Sequence, residues 1–92
     1  MEEIKKFTEL KDTITLMCSD DYVDRFIAEY IQVKIRYEKL RAMIVKYEAG
    51  TLNFIPNCDI ELLQSQLDAM DTYLYCLEVR AQVEDIDLNA FK

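Results

Sequence analysis

Apolar residues recur at helical spacing along most of the chain. Val23, Phe26, Tyr30, Val33, Tyr37, Leu40, Ile44 and Tyr47 are separated by 3, 4, 3, 4, 3, 4 and 3 positions. One face of an α-helix produces this seven-residue repeat, and an alternating strand does not. It predicts a helix over 21–48. Ser19 or Asp20 can cap its start by accepting from an orphan amide of the first turn, with the neighbouring acids suiting the positive end of the helix dipole. Gly50 stands just past its end, where positive φ closes a helix. Ile60, Leu63, Leu67, Met70, Leu74, Leu77 and Ala81 repeat the pattern and predict a second helix over 58–84, with Asn57 or Cys58 at its start and Glu61 near the first-turn amides. A weaker row, Ile4, Phe7, Leu10, Ile14 and Met17, predicts a short helix over 2–17 within an N-terminal segment 1–18, although Thr13 and Thr15 lower its propensity. Residues 51–57 are the connection, and Phe54 and Ile55 are apolar enough to plug the end of the core. Residues 85–92 form a tail, frayed or bound to a partner.

Two matched stripes on either side of a short connection imply an all-α fold built on a long antiparallel αα-hairpin with coiled-coil-like packing. Facing positions then stack Tyr47 on Ile60, Ile44 on Leu63, Leu40 on Leu67, Tyr37 on Met70, Val33 on Leu74 and Tyr30 on Leu77. The stripes do not exhaust the apolar residues. The first long helix has a further row of Ile27, Ile31, Ile35, Ala42 and Val45, and the second has Leu62, Ala69, Tyr73, Cys76 and Val83. A helix apolar around much of its circumference has to be covered on more than one side. The N-terminal helix can cover part of this area, and the remainder predicts a homo-oligomer, a dimer or higher.

Ninety-two residues with 51% hydrophobic content, one Gly and one Pro suit a single helical domain spanning 1–92 and exclude a disordered chain. With 18 acids and 11 bases the net charge is −7, which opposes binding of long nucleic acids and of anionic membranes. The charge is unevenly spread. Residues 33–47 hold Lys34, Arg36, Lys39, Arg41 and Lys46 against Glu38 alone, whereas residues 59–92 hold eight acids and two bases. Three widely spaced cysteines, Cys18, Cys58 and Cys76, with no histidine, exclude the usual zinc patterns and read as free thiols, buried or nearly so, in a reducing cytosol. The N-terminus lacks a signal-peptide core, and no apolar run approaches the length of a membrane span.

Catalysis finds little material. Without His there is no imidazole base or conventional Ser or Cys relay. One Gly excludes Gly-rich phosphate loops. The carboxylate pairs Asp68 with Asp71 and Asp85 with Asp87 read as solvated polar surface, so the chain is expected to be no enzyme and to need no cofactor or metal. The basic stripe is more informative. Lys34 and Arg41 are seven apart, as are Lys39 and Lys46, and Tyr30, Tyr37 and Tyr47 alternate with the cations. Lysine and arginine supply charge for phosphate and tyrosine offers a π surface to a base. The candidate ligand residues are therefore Lys34, Arg36, Tyr37, Lys39, Arg41, Lys46 and Tyr47, with Arg80 as an isolated cation on the acidic helix. The bland reading places the tyrosines in the core and the cations on ordinary flanks facing the acidic helix. Asp68, Asp71, Glu78, Glu84, Asp85 and Asp87 offer an alternative, an acidic face that imitates nucleic-acid phosphates.

Residues 44–52 (Ile-Val-Lys-Tyr-Glu-Ala-Gly-Thr-Leu), then Phe54, Pro56, Cys58 and Ile60-Glu61-Leu62-Leu63, carry a resemblance that continues through Gln66, Ala69-Met70, Tyr73-Leu74, Leu77-Glu78 and Arg80-Ala81. The stretch from about residue 26 to residue 84 resembles a family of small phage and prophage proteins related to a crAss-like phage protein. Asp59 departs from it where proline is expected, at a helix-opening position that accepts either. The resemblance implies a phage setting in the bacterial cytoplasm, and by analogy a counter-defence factor. Three roles fit: sequestering a nucleotide immune signal, inhibiting a host defence protein in the manner of an anti-CRISPR or nucleic-acid mimic, or a structural part in phage assembly.

Overall fold

The computed structural model describes residues 7–89. A 3-10 turn over Leu10–Thr13 runs into α1, Ile14–Met17, followed by α2, Tyr22–Ala49, and α3, Ile60–Val83. There is no strand among the described residues. At 1.5 Å per residue α2 is about 42 Å long, which matches the longest dimension of the molecule, 42 Å.

The N-terminal segment is less helical than its apolar row predicts. Residues 7–9 are not helical, the first turn is 3-10, and the earlier part of the predicted helix lies outside the described residues. The cause is local. Asp12 accepts from the amides of Thr8 and Glu9 at 3.1 and 3.0 Å, which pins a capped turn there instead of a continuing helix. Thr13 then turns its hydroxyl back onto the Leu10 carbonyl at 2.7 Å.

Both long helices open on aspartate. Asp21, not Ser19 or Asp20, accepts from the Val23 amide; Ser19 instead donates to Asp24 at 2.8 Å. Asp59, not Asn57 or Cys58, accepts from the Glu61 amide at 3.0 Å. Each aspartate sits one residue before its helix, where a carboxylate also meets the positive end of the dipole. Both helices close in the same way. Beyond α2, Gly50 takes φ 77° and Thr51 N–H reaches back to the Lys46 carbonyl at 2.9 Å. Beyond α3, Asp85 takes φ 59° and Ile86 N–H reaches the Ala81 carbonyl at 2.8 Å. Both are Schellman closures, the second without the usual glycine.

The second closure corrects the expectation of a frayed tail. It turns the chain back so that Ile86 and Leu88 become buried. They join Phe26, Ile27, Tyr30, Ile31, Ile35, Leu74, Leu77 and Ala81 in one core, with Phe7, Leu10, Leu16, Val33 and Tyr37 packed against it. The Ile27, Ile31 and Ile35 row of α2 is thereby covered. Gln32 ties the N-terminal segment to α2 by donating to the Thr13 hydroxyl at 2.8 Å.

Bonds between α2 and α3 join Tyr22 to Glu84, Tyr30 to Glu78, Glu29 to Tyr73 and Glu48 to Gln64, so the two helices run in opposite directions. Burial along them is uneven. Phe26, Tyr30, Leu74 and Leu77 are buried in the core and Ile44 is buried apart from it, whereas Val23 and Tyr47, at the two ends of the α2 stripe, are 39% and 44% exposed. Phe54 and Ile55 do not plug the core; they are 54% and 90% exposed, because the connection runs over the tip of the helices. The three cysteines are exposed rather than buried, each lying off the face its helix or turn packs inward.

Stability should therefore reside at one end. Leu77→Ala is expected to cost about 3 kcal/mol and Ile55→Ala less than about 0.5 kcal/mol in denaturant unfolding. The closures predict opposite signs: Gly50→Ala destabilises by about 1 kcal/mol, and Asp85→Gly stabilises by a similar or smaller amount.

Candidate functional site

The cations of α2 remain on the surface. Arg36, Lys39, Arg41 and Lys46 are exposed, and no side chain of the four makes an ion pair or hydrogen bond among the described residues. Lys34 is half-buried and pairs with Glu38 one turn on, at 3.6 Å. The acidic helix does not neutralise this stripe, because no cross-helix ion pair joins α2 to α3 among the described residues.

Spacing on α2 sorts these residues into three rows. Lys34 and Arg41, seven apart, share one. Lys39 and Lys46 share another. Arg36 lies seven after Glu29, on the side of α2 where Glu29 accepts from the Tyr73 phenol of α3. Tyr47 is eighteen residues past Glu29, close to five full turns, and falls on that same side. It is 44% exposed, whereas Tyr37 is half-buried against the core. One chain thus displays cations and an accessible ring around the distal half of α2, without converging them into a single pocket.

Arg80 lies at the other end and is engaged. Its guanidinium sits 4.9 Å from the centre of the Phe26 ring, donates to the Tyr22 hydroxyl at 2.9 Å and pairs with Glu84 at 3.3 Å. Tyr22 in turn donates to Glu84 at 2.7 Å. The hydrogen bond to Glu84 raises the Tyr22 pKa, and the hydrogen bond to Tyr22 raises that of Arg80. This cation–π and hydrogen-bond cluster fastens the start of α2 to the end of α3. Sequence reasoning did not find Tyr22, Phe26 and Glu84 as its partners. The antiparallel pairing carries the signal, since it sets residues near 22 beside residues near 84.

Two further phenols are held by carboxylates of the neighbouring helix. Tyr73 donates to Glu29, which raises its pKa. Tyr30 is 1% exposed and donates to Glu78 at 3.3 Å; burial first, and the charge of Glu78 second, push its pKa to about 12.

A cavity of about 380 Å³ lies beside the tail, with Glu78, Asp85 and Asp87 among the groups lining it and Ile86 and Leu88 on its wall. Its carboxylates repel an anion, so it does not complement the basic stripe. Among the described residues no group of three or more potential ligands could hold a metal ion, and no helix is long and apolar enough to cross a membrane.

The architecture and surface define a small all-α protein with a compact core at one end and bare cations and apolar side chains toward the other. The Sequestin family model matches residues 20–83, and the chain belongs to that family. The match begins at the turn before α2 and ends with α3, so it leaves out the N-terminal segment and the tail that cover the core. No curated protein and no solved structure matches the chain.

The buried phenol makes stability pH-dependent. Tyr30 stays neutral in the fold to a higher pH than in the unfolded chain, so its contribution is complete below pH 10 and is lost as pH rises from 10 towards about 12. Denaturant midpoints should fall across that window, and Tyr30→Phe should lessen the fall while costing about 1 kcal/mol at neutral pH.

Proposed function

We propose that this protein is a non-enzymatic phage or prophage accessory factor that acts in the bacterial cytoplasm, where it binds and sequesters an anionic nucleotide signal of host defence. The observation that carries this reading is the set of four exposed, unpaired cations, Arg36, Lys39, Arg41 and Lys46, on α2 of a chain with net charge −7. Solvated cations that stability does not require are available to phosphate oxygens. Tyr47, exposed on the same half of α2, offers its ring to a base. The family name is in keeping with sequestration of a partner. A small ligand fits the charge better than a polymer does, because the acids of α3 and the tail oppose a long polyanion.

A sequestering protein needs to enclose its ligand, and the three rows of cations do not do so within one copy. An αα-hairpin with coiled-coil-like packing, associated into a dimer or higher oligomer, would bring rows from different subunits together. Lys34 and Tyr37, engaged by Glu38 and by the core, then have supporting roles. Arg80 stands apart from the α2 stripe and joins only if the ligand exchanges with Glu84.

The acidic-face reading, inhibition of a host defence protein, draws on Asp68, Asp71, Asp85 and Asp87, all exposed. Two of its six carboxylates are spoken for, Glu78 by Tyr30 and Glu84 by Arg80 and Tyr22, which leaves fewer acids for mimicry.

Titration calorimetry against a panel of cyclic and linear nucleotides should show saturable binding. Arg36→Glu and Lys46→Glu should each weaken it about tenfold or more, roughly 1.4 kcal/mol, and added salt should weaken it too. Absence of binding across the panel, with no small molecule carried by the native protein in mass spectrometry, would remove the proposal. Stable capture of one host nuclease or effector would favour the inhibitor.

A further inference from the structure

One row of α3 is exposed along its whole length. Leu62, Gln66, Ala69, Tyr73, Cys76, Arg80 and Val83 are spaced 4, 3, 4, 3, 4 and 3, and every one is exposed. The row lies roughly a third of a turn around the helix from Leu63, Leu74, Leu77 and Ala81, the residues turned toward the interior. It is a second heptad seam, touched by α2 only at its edge, where Tyr73 meets Glu29 and Arg80 meets Tyr22 and Phe26, among the described residues.

Two properties of the seam indicate what covers it. The first is charge. The acids of α3, Glu61, Asp68, Asp71 and Glu78, all fall outside the row, and its one charged member is Arg80. In a chain of net charge −7 this is the strip of α3 along which two copies can approach without opposing carboxylates. The second is order. Read from either end, the side chains run aliphatic, long polar, small, tyrosine, small, long polar, aliphatic. A two-fold contact requires a patch complementary to itself on rotation, and a row that reads the same in both directions meets that condition when two helices pair antiparallel.

We infer that this seam is a two-fold interface between two copies of the chain, with the axis passing close to Tyr73. Leu62 then packs near the partner's Val83. Gln66 lies near the partner's Arg80, which has guanidinium donors beyond the two used by Tyr22 and Glu84 and can donate to the Gln66 amide oxygen. Ala69 and Cys76, both small, leave room beside the axis for two tyrosine rings. The ring of Tyr73 is already positioned for this, since its hydroxyl is held by Glu29 while 41% of the residue remains exposed.

The interface also supplies what one chain lacks. Arg36 follows Glu29, which accepts from the Tyr73 phenol, by two turns, about 10 Å further along the same edge of α2. Rotation about an axis at Tyr73 therefore brings Arg36 of both copies to one groove. The ligand part of this inference rests on the nucleotide reading above: each anion would meet cations from two subunits, and the site is incomplete in a monomer.

Crosslinking tests the geometry. With Cys18, Cys58 and Cys76 replaced by serine, Tyr73→Cys should be joined into covalent dimers by a short bis-maleimide. Leu62→Cys should not be, because its counterpart in the antiparallel pair lies about 33 Å away along the helix at 1.5 Å per residue. Ready self-crosslinking of Leu62→Cys, or a dimer in which Tyr73→Cys is not joined, overturns the arrangement. Sedimentation provides an independent measure. The wild-type protein should be at least dimeric, and Ala69→Glu, which sets two carboxylates beside the axis, should shift it to monomer with its helical circular dichroism retained. A monomeric wild type, or association indifferent to Ala69→Glu, also overturns it. A dimer that meets both tests yet binds no nucleotide leaves the interface standing and removes only the functional reading.

Discussion

The packing of α2 against α3 around Tyr30 and Leu77 is the contact on which the rest of the molecule depends. Both side chains are 1% exposed, and the other buried members of the core gather around them. A long helix in isolation gains too little from its own hydrogen bonds to persist, and its stability comes from the apolar face it buries. Here that burial is concentrated at one end. The 3-10 turn and α1 cover the back of α2, the Schellman closure at Asp85 folds Ile86 and Leu88 inward, and Arg80 with Tyr22 and Glu84 fastens the margin. The described residues do not cover both long helices from end to end.

The distal half is the consequence. Held in place by the core, it projects apolar side chains that the described residues leave largely open: Val45, Tyr47, Phe54, Ile55 and Leu62 are each at least 44% exposed. The unpaired cations of α2 stand among them. An arrangement in which one end supplies stability and the other supplies surface suits a protein whose activity is binding. It also explains how a basic row survives beside an acidic helix. The carboxylates that bond at the α2–α3 contact, Glu78 and Glu84, do so at the core end, with Tyr30, Tyr22 and Arg80, while Asp68 and Asp71, nearer the distal half, form no ion pair with the cations of α2 among the described residues.

The seven-residue spacing alone placed α2 and α3 to within a residue or two, because a periodic apolar face is a property of local geometry and needs no knowledge of neighbours. Gly50 was legible for the same reason: positive φ at the end of a helix favours the residue without a Cβ. The cations of α2 could also be named in advance, as charge contrast along a chain is visible without a fold. What could not be read locally was decided by contacts between distant segments. Asp85 adopts the conformation of a glycine, so no turn signal announced that Ile86 and Leu88 come back to the core. Phe54 and Ile55 are apolar yet exposed, since none of the described residues packs over the tip they occupy. Whether a cation is free or engaged depends on which groups tertiary packing sets beside it, and Lys39 and Arg80, alike in sequence terms, end in opposite states: Lys39 is left to solvent, and Arg80 is bound over an aromatic ring, because antiparallel pairing carries Tyr22, Phe26 and Glu84 to the position where Arg80 stands.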